Sequence, residues 1–90
     1  MKVEFDPAKR DATLALRGLD MADAALIFEG LHRTYIDDRV VYSEQRRVTI
    51  GYIHGRMMVI AWTERDGAMR VISMRKCNGR EQKENRERLR

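Results

Sequence analysis

Cysteine occurs once in these 90 residues, at Cys77, so no internal disulfide can staple the chain. It reads as a small structural residue near a strand end, and a reducing, cytoplasmic setting is expected. Histidine occurs twice, at His32 and His54, too far apart in sequence to present metal-ligand spacing. No metal and no cofactor are therefore expected. No apolar run approaches the length of a membrane span, and the opening MKVEFDP reads as structure rather than as a leader. There are no internal repeats and no Gly/Ser-rich linker. Ninety residues make one small domain, expected over 1–90, with a modest core.

What the chain has in quantity is charge. Charged residues are 36% of the total and the net charge is +4. Residues 1–30 hold four Lys/Arg against six Asp/Glu, and residues 31–90 hold fourteen against eight, giving −2 and +6. The excess belongs to the second part, which makes polyanions plausible partners there.

The stretch from Arg46 to Lys76 organises the rest. Three runs rich in β-branched and aromatic residues, roughly 46–53, 56–64 and 69–75, are separated by His54-Gly55 and Asp66-Gly67. Asp-Gly between such runs is a strong hairpin signal, because a type I′ turn needs φ > 0 at both central residues. An antiparallel meander is predicted. Two-residue loops set Thr63 opposite Arg70, Ala61 opposite Ile72, Arg46 opposite Thr63 and Ile50 opposite Val59. Alternation then collects Val48, Ile50, Tyr52, Met57, Val59, Ala61, Ile72 and Met74 on one face, the expected core. One end of that face carries Glu44, Arg46, Thr63, Arg65 and Arg70. The other face is mixed, with Trp62, Ser73 and Arg75 among its residues.

Around the meander, Met1–Phe5 alternates as a short strand. Asp6-Pro7 starts a helix that Gly18 ends, with Ala8, Ala12, Ala15 and Leu16 on its apolar face. Asp20 caps a second helix, with Asp23 in a capping-box position. Met21, Ala24, Ala25 and Phe28 form its apolar face, and Gly30 ends it in a left-handed conformation. Both helices are expected over the core face, with no chemical role. Residues 33–36 can form a strand, residues 37–39 a turn or loop, and Val40-Val41-Tyr42 a further strand or a crossing of the edge. After Asn78 the segment to Arg90 has one large apolar residue, Leu89. It reads as a solvated helix, a frayed tail, or a surface that orders on a partner. Arg80, Lys83 and Arg86 at three-residue spacing would make a basic stripe able to follow phosphates. Neither His32, read as a loop residue, nor His54, in a turn, has an adjacent carboxylate in sequence.

With these residues in view, the chain resembles the BrnT family of bacterial type II toxins. The motifs are FDPAK, RGLDMADAALIFEG, the Asp37-Asp38-Arg39 loop, SEQRRVTIG, GRMMVIAWTER and RVISMRKCNGRE, running from residue 3 to about 84. The last is the most specific. The resemblance implies an α+β, RelE/ParE-like fold: two N-terminal helices on an antiparallel sheet and a C-terminal helix over 78–90. It implies a metal-independent endoribonuclease that arrests translation, and a BrnA-like antitoxin that neutralises it and binds DNA on behalf of the complex. The chain departs from the family at Thr13 and Leu16-Arg17-Gly18, where many members have Asn and Lys-His-Gly. It also departs at Asn85, where Tyr is usual, and at Cys77, where Ala is common.

Metal-free cleavage uses the 2′-OH as nucleophile, and needs its deprotonation, stabilisation of the phosphorane and protonation of the leaving oxygen. Arginine electrostatics are the expected source, from Arg65, Arg70 and Arg75 with Arg46 and Glu44 in support. Glu44 can be a base or a salt-bridge partner that orients an arginine, and the second is favoured. RNA contacts are expected from Trp62, Ser73, Lys76, Arg80 and Lys83. Parity puts Arg75 on the face away from Arg70, whereas the motif marks it as functional. A β-bulge, or a site wrapping the sheet edge, would reconcile the two. Trp62 on that face can stack on a base or be buried under the C-terminal helix. The alternative function is a non-enzymatic relative that acts on a protein target, its basic face meeting an acidic antitoxin.

Overall fold

The structure is a computed structural model and describes residues 1–39, 41 and 44–89. In chain order the elements are β1 (Val3–Glu4), α1 (Pro7–Arg17), a 3₁₀ helix (Met21–Glu29), β2 (His32–Asp37), β3 (Arg46–Ile53), β4 (Arg56–Arg65), β5 (Ala68–Lys76) and α2 (Gly79–Arg86). The expectation for Val40 and Tyr42 lies outside the described residues. No helix among the described residues is long and apolar enough to cross a membrane.

Both hairpin turns form as their residues dictate. His54 and Gly55 have φ of 51° and 77°, and Asp66 and Gly67 have 51° and 79°, positive at both central positions of each turn. The sheet order is β1-β5-β4-β3-β2. All pairings are antiparallel except β1, which runs parallel to β5 through Val3–Met69 and Glu4–Arg70. The sheet is therefore mixed and not purely antiparallel. His32 belongs to β2 rather than to a loop.

The register holds at one end of the β4–β5 hairpin and breaks in the middle. Thr63 pairs with Arg70 and Trp62 with Val71, but Ala61 then pairs with Ser73, which leaves Ile72 as an extra residue. This is a β-bulge, and it turns every later residue of β5 to the opposite face. β1 covers the β5 edge only as far as Arg70, so beyond that point the edge has no ladder to oppose the distortion.

The N-terminal helices pack on the face that sequence alternation left as mixed. Its buried cluster is Leu19, Met21, Ala24, Ile27, Ile53, Met58, Ile60, Trp62, Met69, Val71 and Met74. The bulge delivers Met74 to this side, opposite Ile60. Each fully buried Met or Ile side chain contributes ~2 kcal/mol. Both sheet faces are apolar enough to be a core, and two details select this one. Gly51 lets the 3₁₀ helix approach, since a Cβ there would lie 2.8 Å from both Ile27 Cγ1 and His32 Cβ. Trp62 can be buried because its Nε1–H donates to Thr49 Oγ1 at 2.8 Å.

The second helix is 3₁₀, so its buried residues, Met21, Ala24 and Ile27, repeat every three positions rather than at α-helical spacing. Its end at Gly30 is extended, not left-handed. Asp20 accepts from Ala22 N and binds Arg10 through both carboxylate oxygens at 2.9 and 2.8 Å, tying α1 to the 3₁₀ helix. α1 buries no residue, and Leu16 is 84% exposed, contrary to its expected place on an apolar face.

The expected core face is a smaller, second core. Val48, Ile50, Met57 and Cys77 are buried there with Leu89, and Tyr52 and Val59 pack against them. The polar C-terminal helix is thus held by burial after all, through Leu89 and Asn85. Its start carries the expected capping box between Asn78 and Glu81. Burial also pushes the Cys77 thiol above its ordinary range.

Gly51→Ala should cost about 1–3 kcal/mol through overpacking against Ile27 and His32, a fall in Tm of roughly 4–20 °C for a domain of this size. Thermal and urea melts check it. An unchanged Tm would mean that the 3₁₀ helix is not seated against β3 as described.

Candidate functional site

The bulge gives the sheet face opposite the N-terminal helices its character. Three rows of side chains cross that face. The first is Asp37, Arg46, Thr63 and Arg70, with Arg46 and Thr63 one step beyond the Arg47–Trp62 pair that ends the ladder. The second is Tyr35, Val48, Ala61 and Ser73. The third is Arg33, Ile50, Val59 and Arg75. Neighbouring rows are two residues apart along the strands, ~7 Å, so Arg70 and Arg75 stand ~13 Å apart along the sheet. Strict alternation along β5 would place Ser73 and Arg75 on the far face. Ile72, the inserted residue, brings them to this one.

At one end, a cavity of about 240 Å3 is lined by Lys9, Glu44, Arg46, Thr63, Arg65, Arg70 and Ile72. Arg65 Nη2 donates to Glu44 Oε1 at 2.6 Å. The Thr63 hydroxyl lies 3.0 Å from the Gln45 carbonyl oxygen and 3.4 Å from Glu44 Oε2. Glu44 therefore orients Arg65 and raises its pKa further above the arginine range. Arg70 is half-buried, with no carboxylate or hydrogen-bond partner for its guanidinium among the described residues. It is the cation here best placed to bind an incoming anion. Lys9, on α1, also lines the cavity, so α1 carries a residue that the sequence reading had treated as merely structural.

At the other end, Arg75 forms a two-pronged pair with Glu81, Nη1 to Oε1 at 2.7 Å and Nη2 to Oε2 at 2.8 Å. Glu81 Oε1 also accepts from Asn78 N at 2.9 Å. These donors hold the Glu81 carboxyl down to about pKa 2, Arg75 having the larger effect. A capping box thus doubles as the anchor of a surface arginine. Across the sheet, Arg33 Nε donates to Asn85 Oδ1 at 3.0 Å, and its guanidinium lies 5.1 Å from the centre of the Tyr35 ring. Asn85 is 4% exposed and donates to the Glu81 carbonyl. A buried Asn thus fixes an arginine.

Arg33 and Tyr35 went unassigned from sequence. The alternation of residues 33–36 marks a strand, but only pairing with β3 shows which face each side chain takes. Tyr35 is 42% exposed beside Val48, an aromatic surface on the arginine face. Trp62 does not serve that purpose. It is 5% exposed in the main core, edge-on to Phe28 of the 3₁₀ helix and not under α2. Arg80 and Lys83 are exposed on α2, Arg80 paired with Glu84 at 3.0 Å, and Lys76 is exposed at the end of β5. These three stand outside the rows.

Both histidines belong to the helix-covered side. His32 pairs with Gly51 and meets Phe28 edge-on, and His54 Nε2 lies 3.9 Å from Asp23. Among the described residues, no group of three or more His, Cys, Asp or Glu side chains is placed to hold a metal ion. What the face offers is guanidinium groups on rigid strands, two of them oriented by carboxylates, around a shallow row ending in Ser73. Such an arrangement binds phosphate oxygens at more than one point.

Residues 5–81 match the family model described as "Ribonuclease toxin, BrnT, of type II toxin-antitoxin system". A search of curated proteins returned no significant match.

The Arg75–Glu81 pair has a pH signature. Its folded pKa, about 2, lies below the ordinary value of 4.5. The pair therefore adds stability above the ordinary glutamate range, and the contribution fades as pH falls toward 2. An NMR titration of the Glu81 carboxyl should show a midpoint near 2, moving up in Arg75→Ala while staying below 4.5 because Asn78 N–H still donates. A midpoint near 4.5 in the wild type would mean that Arg75 is not held.

Proposed function

The chain belongs to the BrnT family of ribonuclease toxins of type II toxin–antitoxin systems, and on that premise we propose that the arginine face is where it cleaves RNA. The observation that carries this reading is the bulge at Ile72, which gathers Arg65, Arg70 and Arg75 on one open face with Arg46 and Glu44. A toxin of this class has an antitoxin partner. We take that partner to be BrnA-like, covering the basic face in a toxin–antitoxin hetero-oligomer and contacting DNA in the toxin's stead. The order of elements, two N-terminal helices, a sheet and a C-terminal helix, supports a RelE/ParE-like fold acting as one domain over 1–90. The setting we propose is the cytoplasm.

The chemistry is attack of the ribose 2′ oxygen, which gives up its proton, on the adjacent phosphorus, through a phosphorane that carries more charge than the bound diester and collapses by breaking the P–O5′ bond, leaving a 2′,3′-cyclic phosphate and a 5′ oxygen that takes up a proton. Donors fixed on strands interact more strongly with that state than with the ground state, which is the condition for accelerating the step. Arg70, without a carboxylate of its own, takes the phosphate directly. Arg65 and Arg75 keep their forks aimed because Glu44 and Glu81 hold them. Glu44 serves as an orienting group, its Oε1 already occupied by Arg65. Guanidinium groups supply positive charge at the phosphate, and the reading is of metal-independent cleavage that arrests translation. Tyr35 and Ser73 flank the reacting position, Tyr35 as a surface for a base.

Purified protein, freed from its antitoxin, should cleave RNA in EDTA. Arg65→Ala, Arg70→Ala and Arg75→Ala should each lose on the order of 100-fold in turnover with melts unchanged, as for removal of one oxyanion donor. Lysine at these positions should rescue poorly, because one ammonium cannot reproduce the fork. Full activity in all three alanine variants sinks the mechanism, and loss of wild-type activity on adding EDTA sinks metal independence. Tyr35→Ala should raise KM about tenfold at near-constant kcat, the loss of one stacked base. An unchanged KM would remove Tyr35 from the site.

A further inference from the structure

A second basic cavity opens at the other end of the same sheet, between the β3–β4 turn and α2, with a volume of about 480 Å3. Arg56 of β4, Lys76 of β5 and Arg86 of α2 line it, together with Tyr52, Met57 and Cys77. Among the described residues, no carboxylate does. The three basic side chains are exposed, and among the described residues none makes an ion pair or a side-chain hydrogen bond. Arg70 shares that state, but here three such groups line one cavity. Arg10, Arg47, Arg65, Arg75 and Arg80 each have a carboxylate within 3.4 Å. Three like charges around one concavity repel one another, and an anion entering it removes that repulsion while the walls limit screening by water.

The cavity continues the arginine face. Tyr52 pairs with Met57 one row beyond Ile50–Val59, so its centre lies ~7 Å past the row of Arg75 and ~20 Å past that of Arg70. Along β5, Arg70, Ser73 and Arg75 lead there on the arginine face, and Lys76, opposite Met58 at the strand's end, reaches the cavity from the other face. Met57 and Cys77 are buried and Tyr52 is half-buried, so what the cavity presents to solvent is mainly positive charge. Separate cations without a hydrophobic centre suit a chain carrying one charge per unit. We propose that this cavity holds a phosphodiester of the RNA strand outside the cleaved linkage, as a subsite that sets affinity for long over short substrates. The proposal rests on the ribonuclease reading, because it takes the strand to cross the arginine face.

The test uses the full chain and 2′-O-methyl RNA, which binds without being cleaved, as a tetranucleotide and as a dodecanucleotide. In Arg56→Gln/Arg86→Gln the dodecanucleotide should bind on the order of tenfold more weakly at ~0.1 M salt. The slope of log K against log salt should fall by roughly 1.4, two phosphate contacts' worth for a single strand. The tetranucleotide should be unaffected, and on long RNA KM should rise at constant kcat. Arg56→Lys/Arg86→Lys should bind nearly as the wild type, since the site needs charge and no fork. Unchanged dodecanucleotide affinity and slope overturn the subsite. So does displacement of inorganic phosphate with no effect on RNA, or weakened antitoxin binding with RNA affinity intact. A wild type that binds the long RNA through these residues yet cleaves none upholds the subsite and defeats the ribonuclease reading instead.

Discussion

The residue on which the most depends is Ile72. One extra residue in β5 changes the face of everything after it. With a regular ladder, Arg75 would point under the N-terminal helices as a charge without water, and Met74 would point out. With the bulge, Met74 joins the main core and Arg75 joins Arg70 on the open side. The distortion is permitted because β1 is two residues long and leaves β5 an edge strand beyond Arg70. A short strand at the start of the chain thus governs a site built from its second half.

The second constraint is the pairing of arginines with fixed side-chain oxygens, two of them carboxylates and one an amide. Arg65 with Glu44, Arg75 with Glu81 and Arg33 with Asn85 are each a long side chain held by a group that is itself fixed. Exposed pairs of this kind add little to stability. Their effect is on geometry, because a guanidinium already aimed has less freedom to lose on meeting an anion. Glu81 has three roles at one position: it closes the cap of α2, aims Arg75 and, through its carbonyl, receives Asn85.

Two apolar faces gave the chain a choice of core. Gly51 and the Thr49–Trp62 hydrogen bond favour one of them for the 3₁₀ helix. Leu89 then closes what remains of the other. The row of Arg46, Thr63 and Arg70 lies outside that cluster, the rows of Ser73 and Arg75 flank it through Val48, Ile50 and Val59, and its far end borders the second basic cavity.

Sequence by itself determined the turns, the meander, the caps at Asp6, Asp20 and Asn78, and the pairing of Thr63 with Arg70. These are local matters of dihedral preference and nearest-neighbour geometry, and glycine or a capping side chain decides each on the spot. The sequence's motifs also drew attention to Arg75, which strict alternation placed on the other face. Tertiary structure alone decided which face is buried, since alternation is symmetrical between two apolar faces. It alone placed Ile72 outside the ladder, because a bulge depends on the neighbouring strand's length. It alone put Trp62 inside, and Lys9, Arg33 and Tyr35 beside the arginines, because each comes from an element far along the chain whose approach is set by packing.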